Sequence, residues 1–315
     1  MRASEVKRSL IGLARFVLGF NVLVILWGAL VRATGSGAGC GAHWPTCNGT
    51  VVPMDPSIGT LIEYTHRATS GLALLLVAYL TKSVFAAREK GHLARFWATA
   101  SMVLILSEAA IGAGLVLLQR VAYDPSLARG VWISGHLINT FLLLAALTAT
   151  MRFADEPMPS AAVGLRGTLR ASFPLGTQGP LIGVAALMVL ATGVSGAIAA
   201  LGDTLFKVDS LHAALAQDLS PSSHLFVRLR VLHPIIAILG GALVMLVGYR
   251  ARTSSSDDIV MQQRGLRLAV LVAFQWNLGL INLVLLAPTS LQIAHLFVAD
   301  LIWIHLILVA TARER

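Results

Sequence analysis

Read in windows of about 20 residues, the length that crosses a bilayer as an α-helix, the chain shows apolar segments near 13–33, 62–82, 97–118, 130–151, 178–201, 228–249, 266–287 and 290–311. Polar segments separate them. The pattern predicts an all-α fold: a polytopic membrane protein of eight transmembrane helices. The first segment is too long, and its flanks too ordinary, for a cleavable signal. Gly35 to Gly39 could mimic a small-residue cleavage site, but the helix is expected to stay as an anchor.

Composition agrees with this reading. At 56% hydrophobic and only 12% charged, the chain is richer in apolar residues than a water-soluble core of this length needs. The net charge of +9 does not signal nucleic acid, because no dense basic run carries interleaved aromatics. The charge is topological instead. Arg2, Lys7, Arg8 and Arg15 precede or open the first segment; Lys82, Arg88, Lys90 and Arg95 follow the second; Arg152, Arg166 and Arg170 follow the fourth. Arg250, Arg252, Arg264 and Arg267 follow the sixth, and Arg313 and Arg315 end the chain, whereas the alternate loops hold fewer. Both termini are therefore expected in the cytoplasm.

The halves repeat. One interval relates His66 to His233, Glu108 to Gln275 and Gly112 to Gly279, so EAAIGAGLVLL and QWNLGLINLVLL share a register. The shorter interval from His136 to His295 fits a longer outside loop in the first half. Four helices per half preserve the hand of insertion, which makes the repeats parallel. The expected architecture is two pseudo-symmetric four-helix bundles: an amino-terminal half, 1–156, a cytoplasmic linker, 157–177, with Pro157, Pro159 and Pro174 in or beside it, and a carboxy-terminal half, 178–315.

His66, His136, His233 and His295 all fall shortly after the start of an even-numbered segment, so their imidazoles are expected at similar depth, about two turns below the outer surface. Any one of them could simply hydrogen-bond a neighbouring helix. Four at equivalent positions suit two heme irons, each taking axial imidazoles from opposite faces. Glu63 precedes His66 by one helical turn and shares its face; the alternative is a helix-initiating carboxylate favoured by the dipole. Arg32 and Arg67 lie near the same surface, where propionates would find guanidinium partners, although interfacial snorkelling also accounts for them.

Cys40 and Cys47 fall in the first outside loop, a compartment where disulfides persist. A disulfide is the first reading and free thiols the alternative; zinc would need more than His43 nearby. His305 reads as a packing residue, and His43, His92, His212 and His224 as solvated loop residues. Glu108 and Asp300 are carboxyls within the membrane without an assigned role.

In GALVRATGSGAGCGAHWPTCNG, EYTHRATSG, GHLINT, LGLINLVLLAP and QIAHLFVADLIW, the chain resembles the heme A synthase family nearly throughout its length. The resemblance implies oxidation of the C8 methyl of heme O to a formyl group, for terminal oxidases. His66 and His136 would hold the substrate heme O with Glu63 at the reacting edge, and His233 and His295 would hold a resident heme b. It also implies a Cys40–Cys47 disulfide near the substrate pocket. A bacterial cytoplasmic (inner) membrane location, heme O synthase and oxidase assembly as partners, and surrounding lipid are expected, with homo-oligomer formation left open. Three departures stand out: Pro234 after His233 where arginine is common, Glu108 where glutamine is usual, and no cysteine pair in the second half. The rival readings are a non-enzymatic diheme cytochrome b and a heme transporter or chaperone.

Overall fold

A computed structural model describes residues 3–154, 156, 164–174, 176–253 and 258–312, without the side chains of 3–8 and 177. Among the described residues, eight helical spans are long and apolar enough to cross a membrane. They are α1 (Ala3–Ala33), α2 (Ile58–Ala87), α3 (Leu93–Leu117), α4 (Leu127–Phe153), α6 (Gly179–Leu205), the pair α8 (Leu225–Arg230) and α9 (Leu232–Thr253), α10 (Ile259–Val284) and α11 (Thr289–Ala310). Two short helices complete the order, α5 (Gly164–Ser172) and α7 (Leu211–Leu219). This is a multi-pass membrane protein.

Capping residues explain where the spans begin. Ser57 accepts from the Thr60 N–H ahead of α2, Ser126 from Arg129 ahead of α4, and Asp258 from Val260 and Met261 ahead of α10. Pro288 occupies the cap position of α11. The spans that carry the key histidines begin a little earlier than the hydropathy windows suggest; in the first three a polar residue, Ser57, Ser126 or His224, caps the start.

The sixth span is not one continuous helix. It breaks at Val231, between α8 and α9. Pro234 has no N–H to offer the Arg230 carbonyl one turn back, and its ring crowds that carbonyl. Placed in the first turn of α9, the proline is accommodated where the missing donor costs least.

Helices pack in chain order within each half, and the halves meet through α1 and α4 on one side and α6 and α11 on the other. The most buried spans are α11 and α4. Their crossing is fixed by the Trp303 indole N–H, which donates to the Phe141 carbonyl at 2.6 Å, and by the two rings, 5.5 Å apart. Along the outer spans, large side chains such as Leu23, Leu75, Val131, Leu187 and Phe274 stay exposed, as a lipid-facing surface requires.

At the end opposite the cysteine loop, α5 lies within the segment expected to be a linker. Its Ser172 hydroxyl accepts the Trp97 indole N–H at 2.9 Å. Pro157, Pro159, Arg2, Arg313 and Arg315 lie outside the described residues. His92, expected to be solvated, is instead 4% exposed. Its Nδ1 accepts from the Ala94 N–H and caps α3, which leaves Nε2 for the Glu156 carbonyl at 3.1 Å. His224 likewise caps α8 and stacks on Phe206.

Candidate functional site

Each of the four histidines packs against a glycine on the preceding span. A Cβ on Gly28 of α1 would come 3.0 Å from the His66 ring, and one on Gly196 of α6 would come 2.9 Å from His233. On the other helix of each pair, Gly279 faces His295 at 3.1 Å and Gly112 faces His136 at 3.9 Å. Removing the side chain there gives each imidazole room to lie close against its neighbour helix. Gly112 and Gly279 are visible in the sequence repeat. Gly28 and Gly196 are not singled out there, although their interval is nearly that of His66 and His233.

In the carboxy-terminal half the two histidines face one another. His233 and His295 place their ring centroids 6.3 Å apart, with planes at 81°. Two metal–nitrogen bonds of about 2 Å each plus the half-widths of two five-membered rings come to roughly the same span. His66 lies within electrostatic reach of His136 and Glu108. All four rings are part-exposed, so space remains beside them. Among the described residues, His66 Nδ1 and His295 Nδ1 are buried without hydrogen-bond partners, whereas His233 Nδ1 lies 3.1 Å from the Ser195 hydroxyl.

His136 has a different neighbour. Glu108 Oε1 sits 3.1 Å from its Nδ1, at ion-pair distance though not aligned as a hydrogen bond. Asn139 Nδ2 donates to Glu108 Oε2 at 2.5 Å and the Thr140 hydroxyl donates to Oε1, so the carboxylate is fixed from two sides. Ser107 in turn donates to Asn139 Oδ1 at 2.7 Å.

Above His66, Glu63 is 3% exposed. Its Oε1 accepts from Arg67 Nε and Nη2, and its Oε2 accepts the Cys40 N–H at 2.8 Å. Arg67 Nη1 donates to the His43 and Thr46 carbonyls, at 2.5 and 2.7 Å. Cys40 and Cys47 form a disulfide, and both are buried. The loop they close is therefore gripped by the Glu63–Arg67 pair. Gly39 lets it settle on α2, since a Cβ there would meet the Gly59 carbonyl at 2.7 Å.

Arg32 does not snorkel. Its Nη1 donates to the Ala200 carbonyl and the Thr204 hydroxyl on α6, and its Nη2 to Gln292 Oε1 on α11. Arg129, at the start of α4, is 2% exposed and donates to the Asp124 carbonyl. In the loop before α4, burial works against ionisation of Asp124, but hydrogen bonds from Ser126 and Arg120 outweigh it and hold its carboxyl below the ordinary value. Asp300 is fully buried, with no hydrogen-bond partner on either oxygen among the described residues. His305 bonds the Leu301 carbonyl of its own helix.

Among the described residues, no group of three or more His, Cys, Asp or Glu side chains could hold a bare metal ion. Paired imidazoles suit an iron whose remaining donors come from a tetrapyrrole. The donor set, its glycine backing and the 6.3 Å spacing in the second half fit such a group.

A family model described as cytochrome oxidase assembly protein (COX15-CtaA) matches residues 12–58 and 57–307. The chain is 46% identical over 303 residues to a protoheme IX farnesyltransferase of Thermus thermophilus, covering 96% of this chain and 48% of that protein. It is 37% identical over 158 residues to a heme A synthase of Halalkalibacterium halodurans, covering 48% and 50% respectively. Over 98 residues it is 43% identical to a heme A synthase of Alkalihalophilus pseudofirmus, covering 30% and 32%. The chain thus spans about half the length of the Thermus protein, and the stretches shared with these two heme A synthases cover half or less of either chain.

Proposed function

The chain belongs to the COX15-CtaA family of cytochrome oxidase assembly proteins, and from that premise we propose that it is a heme A synthase, oxidising the C8 methyl of heme O to a formyl group. The observation that carries this reading is a pair of glycine-backed imidazoles in each half, facing one another at 6.3 Å in the carboxy-terminal half, with His66 of the amino-terminal half one turn along α2 from Glu63.

In this reading His66 and His136 hold the substrate heme O, and His233 and His295 hold a resident heme b. Bound heme supplies the redox chemistry; the protein supplies placement, dryness and charge control. Gly28 and Gly196 let the His66 and His233 rings lie close against the neighbouring helix, which positions both imidazoles for a ligand. Glu63, oriented by Arg67 and the Cys40 N–H, would serve the methyl edge as proton acceptor or as counter-charge; converting methyl and one water to formyl releases four protons and four electrons, and the electrons would leave through bound heme to an external acceptor. Both guanidiniums expected to meet propionates already have protein partners: Arg67 braces Glu63 and the disulfide loop, and Arg32 braces the two halves.

The Thermus relative supports a source for the substrate. Its name denotes farnesyl transfer to protoheme IX, and this chain matches 48% of it. We read the farnesylated product as what this chain receives. The setting is the bacterial cytoplasmic membrane with both termini in the cytoplasm, supported by the basic residues of alternate loops.

Co-expression with a heme O supplier, followed by extraction of total heme, tests the activity. Heme A is expected. Heme O recovered unchanged would leave a diheme electron carrier, which has no use for the braced Glu63.

A further inference from the structure

We propose that Glu108 is a positioning residue that makes the amino-half imidazole His136 a stronger donor than its counterpart His295, so that the two heme sites of one chain differ in potential. The inference rests on the reading that these histidines ligate heme, and it comes from comparing the halves with each other.

Glu108 and Gln275 occupy matched positions, each four residues before the glycine that faces the histidine in question. Their side chains nevertheless do different things. Glu108 presents an oxygen 3.1 Å from His136 Nδ1, while Asn139 and Thr140 hold the carboxylate in place. Gln275 instead donates its amide N–H to the His295 backbone carbonyl at 3.1 Å, and His295 Nδ1 is left without a partner. Among the described residues, one ring therefore sits against a fixed carboxyl group; the other does not.

Charge acts at this distance whatever the contact angle, and in a low-dielectric interior it acts strongly. A carboxylate at the far nitrogen of a ligating imidazole increases electron donation toward the metal and fixes the ring orientation. The first effect favours the more oxidised iron. A neutral amide turned toward the backbone contributes neither. The amino-half site, where the substrate is to be oxidised, is thereby set at a lower potential than the carboxy-half site.

The test uses the full chain reconstituted with hemin, read by optical redox titration and electron paramagnetic resonance. Glu108→Gln keeps an acceptor but removes the charge: the amino-half potential should rise toward that of the carboxy half, and the carboxy-half signal should not move. Glu108→Leu should in addition weaken amino-half heme binding by about 10- to 100-fold, and Glu108→Asp should restore much of the wild-type potential. Unchanged potential in Glu108→Gln overturns the proposal, and so does loss of the carboxy-half heme in the same variant, which would make Glu108 a general structural residue. His136→Ala separates the two levels. If it leaves the amino-half spectrum intact, the ligation reading itself falls; if it abolishes that spectrum while Glu108→Gln shifts nothing, only the role of Glu108 falls.

Discussion

Glu63 and Arg67 stand one turn apart on α2, and their ion pair is the point at which the membrane-spanning helix and the disulfide loop are joined. The carboxylate takes one further hydrogen bond from the loop through the Cys40 N–H. Neither residue has slack: Glu63 is 4% and Arg67 12% exposed at the side chain.

Breaking this pair from the arginine side leaves a buried carboxylate facing apolar surroundings. Arg67→Ala is expected to cost about 3–5 kcal/mol and to abolish heme O conversion. Thermal unfolding in detergent and extracted-heme profiles measure the two effects. An unchanged melting temperature would show that the pair is solvated in the membrane.

Removing the charge while keeping the shape separates catalysis from support. Glu63→Gln keeps the size but only one acceptor oxygen, so it can still accept from Arg67 while the Cys40 amide loses its partner; bound heme should be retained while conversion is lost. Unchanged turnover would remove Glu63 from the mechanism.

The Cys40–Cys47 bond holds the loop that holds Glu63. Replacing both cysteines by serine is expected to cost about 2–4 kcal/mol and to expose the 41–46 segment to protease. Conversion should fall with it, while the carboxy-half heme spectrum remains. Equal loss of both heme signals would show that the loop stabilises the whole bundle rather than one site.

The glycine backing makes a graded prediction. Alanine at Gly28 or Gly196 would place a methyl 3.0 or 2.9 Å from a ring carbon, whereas at Gly112 the separation is an ordinary 3.9 Å. Overpacking of about 1–3 kcal/mol corresponds to roughly a 5- to 150-fold loss of heme affinity. Gly28→Ala should show it in the amino half, Gly196→Ala in the carboxy half, and Gly112→Ala in neither. Heme titration of the three variants decides.

His92 supplies a pH dependence outside the membrane. Burial lowers its imidazole below the ordinary value of 6.5, against the opposing pull of the Glu156 carbonyl. As pH falls through that ordinary value, the unfolded chain takes up a proton that the folded chain still refuses, so stability falls with pH in this window. Above it both states are neutral there and the effect vanishes. His92→Asn, which still caps α3, should flatten the slope of melting temperature between about pH 7 and pH 5.

The eight spans and the four histidines are legible in the sequence because lipid enforces long apolar runs and penalises polar groups inside them. Cys40 and Cys47 are legible for a similar reason: an outside loop with two cysteines offers few alternatives. Where the side chains of Glu63, Arg67 and Arg32 go is not legible, since those contacts depend on loops and helices far apart in the chain. Spacing shows that Glu63 shares a face with His66; only the packed loop shows that the Cys40 amide and Arg67 hold it. The break at Val231 could have been found from Pro234, but hydropathy averages over it. Glu108 stands out in the sequence as a membrane carboxyl, yet its neighbour becomes known only when α3 and α4 are laid side by side.

Arg32 begins on α1 and spends its hydrogen bonds on α6 and α11. Halves produced as separate polypeptides would each insert with a defect: a guanidinium in one, and bare carbonyl and amide oxygens in the other, turned toward hydrocarbon. Docking would cure both defects at once. Through this one guanidinium the helices before and after the 157–177 segment depend on each other for a satisfied polar group.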